Sequence, residues 1–353
     1  MNEEAKNVAP AAGGGRKGGY GSIVWRSFKR DRLAVASLWI IGAMFVVSYL
    51  APVVANNKPL YMRWENRSYF PAFGDLFPFS LILEYPALRT IDYAKIRDDG
   101  ATPRLMPPVP YSPYETNLAE KLSAPGGRHW MGTDDLGRDV CSRMIHGASV
   151  SLKVGFVAVG IALVIGLLFG ALAGYYGGAA DVLISRLIEI MMCFPFFFLI
   201  LAVIAFLPPS IFNIMVVIGL TRWTAIARYA RGEILKIKRQ DYTQAARALG
   251  AGDRKIIFRH ILPNSMAPVL VTATFGIANA ILIEAALSFL GMGIQPPFAS
   301  WGGILATARE FIEVAWWLAT FPGLAIFLTV TAYNLAGEGL RDATDPRLAI
   351  PER

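Results

Sequence analysis

Residues 241–263 read DYTQAARALGAGDRKIIFRHILP, a polar and basic stretch set between two apolar runs, each long enough to cross a bilayer. The Ala-Ala pair, a glycine four residues later and a Leu-Pro before the next apolar run describe a short surface helix, a turn and a return into lipid. An element of that shape can receive force from outside the membrane.

Working outward, the apolar runs set the solvent. Of 353 residues, 54% are hydrophobic and 17% charged, the mean hydropathy is +0.44, and the apolar residues come in blocks. That excludes an ordinary soluble domain and indicates a polytopic membrane protein. Six spans are expected, at about 33–54, 154–176, 186–207, 211–226, 266–290 and 316–336. The first follows Lys29, Arg30 and Arg32, and its apolar run is longer than the core of a cleavable signal peptide, so it is read as a retained helix.

Charge gives the orientation. Between Arg228 and Arg259 there are nine Lys/Arg against three acids, which keeps this loop in the cytoplasm. Six spans then put both termini on that side. The domains expected are a cytoplasmic tail 1–32, a first helix 33–55, an extracytoplasmic insert 56–128, a transmembrane core 129–340 containing the cytoplasmic loop 228–263, and a C-terminal cytoplasmic tail 341–353. Residues 1–20, rich in small side chains, read as disordered. The net charge of +8 collects at the ends of spans, which argues against a nucleic-acid surface.

Chemistry is sparse. Cys141 and Cys193 fall too far apart in the expected topology to bond, and His129, His146 and His260 are too scattered to ligate a metal. No G-x-x-x-x-G-K-[ST] occurs, so no nucleotide phosphate loop is expected, and no nucleophile and base stand at convincing positions for an enzyme. No cofactor is called for. Nor do the spans carry the chains of acids and histidines that a proton-driven carrier uses.

The intramembrane charges read from the spans are Arg186 and Glu189, three apart and able to pair on one helix face, and Glu284, without a base in its own span. Glu284 is expected to line a polar cavity; the alternative is an interhelical hydrogen bond. With Asn279 and Glu189 it forms the candidate pathway set. Gly166, Gly170 and Gly174 repeat every four residues and offer one face for close helix packing. Pro195 should kink the third span.

Five blocks resemble one family. They are MGTDDLGRDVCSRMIHGASVSL at 131–152, RYARGEILKIKRQDYTQAARALGAGDRKIIFRHILPN at 228–264, EAALSFLGMGIQPPFASWG at 284–302, FPGLAIFLTV at 321–330 and NLAGEGLRDATDPR at 334–347. From about 130 to 346 the chain is similar to the membrane permease subunit of bacterial ABC importers of the dipeptide/oligopeptide/nickel class, resembling the oligopeptide or microcin-type second permease. The resemblance implies an all-α membrane fold of six transmembrane helices, with the large irregular insert between the first and second. It implies a pathway for peptides delivered by an external binding protein, a second permease subunit, and cytoplasmic ATP-binding subunits that hydrolyse the ATP. The loop between the fourth and fifth spans would be a coupling helix seated in a groove of the ATPase.

The family pattern in that loop is E-A-A, three residues, Gly, nine residues, then I-x-L-P. The chain matches it at Ala245, Ala246, Gly250, Leu262 and Pro263, and departs at Gln244 and His260. With Asp241 and Gln244, those five matching residues are the candidate ATPase-coupling set. Ala245, Ala246 and Gly250 bear its shape, while a salt bridge through Gln244 is lost. The competing class is a secondary carrier or channel that works without ATPase partners.

The insert is rich in aromatics (Tyr61, Trp64, Tyr69, Phe70) and prolines (Pro71, Pro78, Pro103, Pro107) without sustained periodicity, which predicts irregular packed structure. Two roles are expected of it equally: contact with the binding protein or cargo, or a lid that stabilises paired permeases.

Overall fold

The computed structural model describes residues 20–344 apart from 82, 84, 89, 90, 94, 96 and 98–103. Most of the expected tail 1–32 and all but the first residues of the tail 341–353 therefore lie outside the described residues. Helix α1 (Tyr20–Phe28) precedes α2 (Arg32–Tyr49), which Asp31 caps by accepting the amides of Leu33 and Ala34, and α3 (Ala51–Val54). The core comprises α4 (Val140–Tyr176), α5 (Gly178–Cys193), α6 (Phe196–Ala205) and α7 (Ile211–Lys238). After α7 come the short α8 (Asp241–Ala248) and α9 (Asp253–Ile256), then a π-helical turn (Ile257–Ile261), α10 (Leu262–Phe289), α11 (Trp301–Phe311) and α12 (Trp317–Thr344).

Among the described residues, five helices are long and apolar enough to cross a membrane, and α5 with α6 would make a sixth if the pair is one span. The third expected span is not one kinked helix but two, bent by 82° at Phe194-Pro195. Pro195 lacks an amide hydrogen and drives the residue before it to an extended conformation, seen at Phe194 with φ −90° and ψ 131°. Helix α4 begins fourteen residues before the expected start at 154. Its polar first turns lie outside the expected span, and the neighbouring segments satisfy them: Arg143 donates to the Pro113 carbonyl, and the His146 ring lies 2.7 Å from the Ala55 carbonyl oxygen.

The most extensive helix pairing is α4 with α7, along the glycine face. A Cβ on Gly166 would stand 2.7 Å from the Ile226 Cβ, one on Gly170 2.7 Å from the Ala227 carbonyl oxygen, and one on Gly174 3.0 Å from the Arg231 carbonyl oxygen. On α7, Gly219 returns the contact, its Cβ position 2.8 Å from the Ala158 carbonyl oxygen. The numbers rise together along both helices, so α4 and α7 are parallel. The chain from the end of α4 to the start of α7 must therefore travel back along their shared length, and α5 and α6 carry it.

The insert is less irregular than expected. Strands β1 (Tyr61–Trp64), β2 (Arg67–Tyr69) and β3 (Arg104–Leu105) form an antiparallel sheet in the order β2-β1-β3. Trp64 faces Arg67 across a two-residue turn whose Glu65 and Asn66 both have positive φ, the conformation that matches strand twist. Strands of two to four residues are too short to announce themselves by alternation. Fully buried Met62 packs with Leu88 beneath the sheet.

A charged knot joins insert and core at the head of α4. Asp134 accepts the amides of Leu136 and Arg138, each at 2.9 Å, and the Arg138 Nε at 2.7 Å. The His129 ring bridges Asp139, at 2.8 Å, and Glu120, at 3.1 Å. Burial would raise the Glu120 carboxyl, but the hydrogen bond with His129 and the Arg128 charge outweigh it and hold it below its ordinary value. For Asp139, which caps α4 through the Ser142 amide, burial wins and raises it. On the other side, the indoles of Trp301 and Trp317 donate to the carbonyls of Met144 and Thr133, both at 3.0 Å.

Candidate functional site

Two features bear on function: the surface helix α8 and a cavity inside the helix bundle. Helix α8 is polar overall, with Asp241 in its first turn and Arg247 in its last, the favourable arrangement for its dipole. It ends at Gly250, whose φ of +80° only glycine adopts without strain. The Gly250 amide donates to the Arg247 carbonyl and the Ala251 amide to the Ala246 carbonyl, the paired bonds of a Schellman cap. Thr243 faces inward and is buried, while Tyr242 and Leu249 project outward at 45% and 88% exposure, with Ala245 between them. The outer face is thus apolar, low in relief at its centre, and uncovered among the described residues.

Its attachment to the core runs through residues that sequence reasoning missed. Arg247 donates to the Tyr175 hydroxyl at the end of α4, that hydroxyl donates to Asp253 ahead of the π turn, and Lys238 donates to the Tyr175 backbone carbonyl. Arg231 makes a bidentate pair with Asp181, binding α7 to α5. These partners lie 50 to 78 residues apart, and no local pattern marks them. Gln244 has a use its acidic counterpart could not have: its Nε2 donates to the Lys238 carbonyl, 3.0 Å away, closing the end of α7. Leu262 and Pro263 open α10, and buried Ile261 anchors the turn before them, beside the half-buried His260.

A cavity of about 420 Å³ lies among α4, α7, α10 and α12. Its polar lining comes from Arg222, Tyr229, Thr272, Asn279, Arg341 and Thr344, and among the described residues no acid contributes. Of the three pathway candidates, only Asn279 is here. Glu189 pairs with Arg186 at 2.6 Å on the exposed side of α5 and lines a separate cleft with Arg228 and Arg231. Glu284, expected to line a polar cavity, is not on the lining of this one. It is fully buried, accepts from Ser288 at 2.8 Å and Ser151 at 3.3 Å, and also bonds Ser300, so it takes the interhelical alternative and ties α10 to α4 and to the cap of α11. Arg222 was overlooked because it sits inside a run whose average is apolar. Its guanidinium lies 4.5 Å from the centre of the Phe196 ring, the first residue after the break.

The family model described as "Binding-protein-dependent transport system inner membrane component" matches residues 166–350, more than half the chain. The chain belongs to this family. As such a permease, it also matches, over residues 19–71, the model of the N-terminal TM domain of oligopeptide transport permease C. The permease is 45% identical over 234 residues to the dipeptide transport system permease protein DppC of Alkalihalophilus pseudofirmus, covering 66% of this chain and 77% of that protein. It is 33% identical over 331 residues to the Bacillus subtilis protein of the same name, covering 93% and 86%, so that similarity extends through the insert. Among solved structures, inward-facing MetNI methionine ABC transporter is similar with a TM-score of 0.47 at 20% identity, over 57% of this chain and 96% of that one.

Proposed function

We propose that this permease is one of two membrane subunits of an ATP-driven importer and that its cargo is peptides handed over by an external binding protein. Membership of a binding-protein-dependent family and the dipeptide transport names of its relatives support the cargo class. The observation that carries the mechanism is α8: an exposed, capped helix with an apolar face and a bonded route through Tyr175 into α4. Asp241, Gln244, Ala245, Ala246, Gly250, Leu262 and Pro263 make the element that meets a cytoplasmic ATPase, and Asn279 lies on the pathway. Six spans, with α5 and α6 forming the broken third, leave both termini in the cytoplasm and the insert outside. ATP is bound and split on the partner subunits.

Reconstitution tests this. The purified chain alone in liposomes should move no peptide, and uptake should appear once the second permease, the ATPases, binding protein and ATP are supplied. Uptake by the chain alone on an ion gradient would sink the proposal. Among the described residues a Cβ at Gly250 meets nothing within 4 Å, so Gly250→Trp should leave the permease folded while disconnecting ATP hydrolysis from uptake. Gly250→Asn, which tolerates positive φ, should keep both.

A further inference from the structure

Among the described residues, the cavity between α4, α7, α10 and α12 is lined by two guanidinium groups and no carboxylate. Arg222 stands eleven residues into α7, about 16 Å along its axis from Ile211, well inside the apolar length of the helix. A cation at that depth is costly unless it meets water, a partner or a ligand. Among the described residues its side chain makes no hydrogen bond and no ion pair; its one contact of that kind is the face of Phe196. That contact exists because the chain breaks at Pro195 and turns the ring back across α7. An aromatic face steadies a guanidinium laterally and leaves its N–H groups free to bind. Arg341, at the far end of α12, is the second cation lining the cavity and likewise has no acidic partner among the described residues.

We propose that Arg222 is the carboxylate anchor of the pathway, taking the C-terminal carboxylate of the peptide in a bidentate pair, with Arg341 as the next anionic station. This rests on the peptide reading above. Peptides of every sequence share that group, so a fixed guanidinium recognises the class without selecting side chains. The planar fork of arginine fits a carboxylate at two points, which an ammonium does not. With no acid among the described lining residues and like charge on Arg222 itself, the opposite orientation, amino terminus on Arg222, is disfavoured.

The test uses the complete reconstituted complex and two probes, trialanine and trialanine amide, each preloaded on binding protein at equal concentration. The wild-type complex should import the free acid about tenfold better than the amide, the worth of one charge-assisted pair. Arg222→Gln should bring that ratio to near one, chiefly by loss of free-acid uptake, and Arg222→Lys should restore part of it. The ratio is insensitive to a general loss of assembly. An unchanged ratio in Arg222→Gln would overturn the proposal. Proportionate loss of both peptides would also overturn it, and would mark Arg222 as a salt-bridge partner of the second permease. If the wild-type complex moved neither peptide, the cargo reading would fall and this proposal with it.

Discussion

Arg247 donates a hydrogen bond to the hydroxyl of Tyr175, 3.1 Å away and 72 residues earlier in the chain. One end of α8 is thereby fastened to the last turn of α4, and the same hydroxyl holds Asp253 at the start of the return into the bundle. The surface helix is bonded at its back and bare at its front.

Replacing Tyr175 with Phe removes that hydroxyl and keeps the ring. Each lost hydrogen bond is worth about 1 kcal/mol. The variant should assemble normally, yet peptide imported per ATP hydrolysed should fall roughly five- to thirtyfold, the range that one to two such bonds would give. Unchanged stoichiometry would show that α8 is held by other contacts.

The glycine seam predicts a graded series. Gly170→Val places a branched side chain where even a Cβ would meet the Ala227 carbonyl and the Ala230 methyl at 2.7 Å. Overpacking of this kind costs about 1–3 kcal/mol or more, so the melting temperature of the purified permease should drop by several degrees. Gly160→Ala, on the same helix with nothing within 4 Å of its Cβ, should not lower it.

Glu284 should behave as a structural tie. Glu284→Gln retains length and hydrogen-bonding capacity and should be tolerated, whereas Glu284→Ala leaves Ser151, Ser288 and Ser300 without their common acceptor. The loss should be about 1–3 kcal/mol in thermal stability. Free-acid against amide selectivity in uptake should stay at the wild-type value in Glu284→Gln; a shift would return this residue to the pathway.

The knot at the head of α4 carries an acid dependence. Because Glu120 titrates below its unfolded value of about 4.3, its contribution is present above that pH and is lost as pH falls through the lower folded value. Amide exchange near residues 117–134 should therefore accelerate as pH drops below about 4, after correction for intrinsic exchange. Glu120→Gln should flatten that dependence. Asp139, raised by burial, works in the opposite sense, favouring the fold at low pH and losing that contribution as pH rises through its folded value.

What the sequence made legible followed from averages and repeats. Apolar runs located the spans because lipid demands length, and three glycines at intervals of four marked the seam because close helix approach demands missing side chains. Local chemistry also succeeded at Gly250, where the cap requires positive φ. Averages hid the rest. Arg222 vanished into an apolar window, and the start of α4 falls outside the expected span because Arg143 and His146 find their partners in distant segments. Glu284 was visible as an anomaly, but its serines come from three elements. Gln244 read as a lost charge, and only the adjoining end of α7 reveals the hydrogen bond that glutamine can donate there and glutamate cannot.

The seam between α4 and α7 leaves no slack for one helix to slide on the other. Helix α4 is 37 residues long, about 55 Å, with Tyr175 at one end and the Asp139–His129 knot at the other. The pair is a stiff strut longer than the bilayer is thick. A tilt imposed at the Tyr175 end reaches the knot in the same movement, as a lever swings about its fulcrum. The folded insert is bolted to the far arm, so it would rock whenever α8 is pushed.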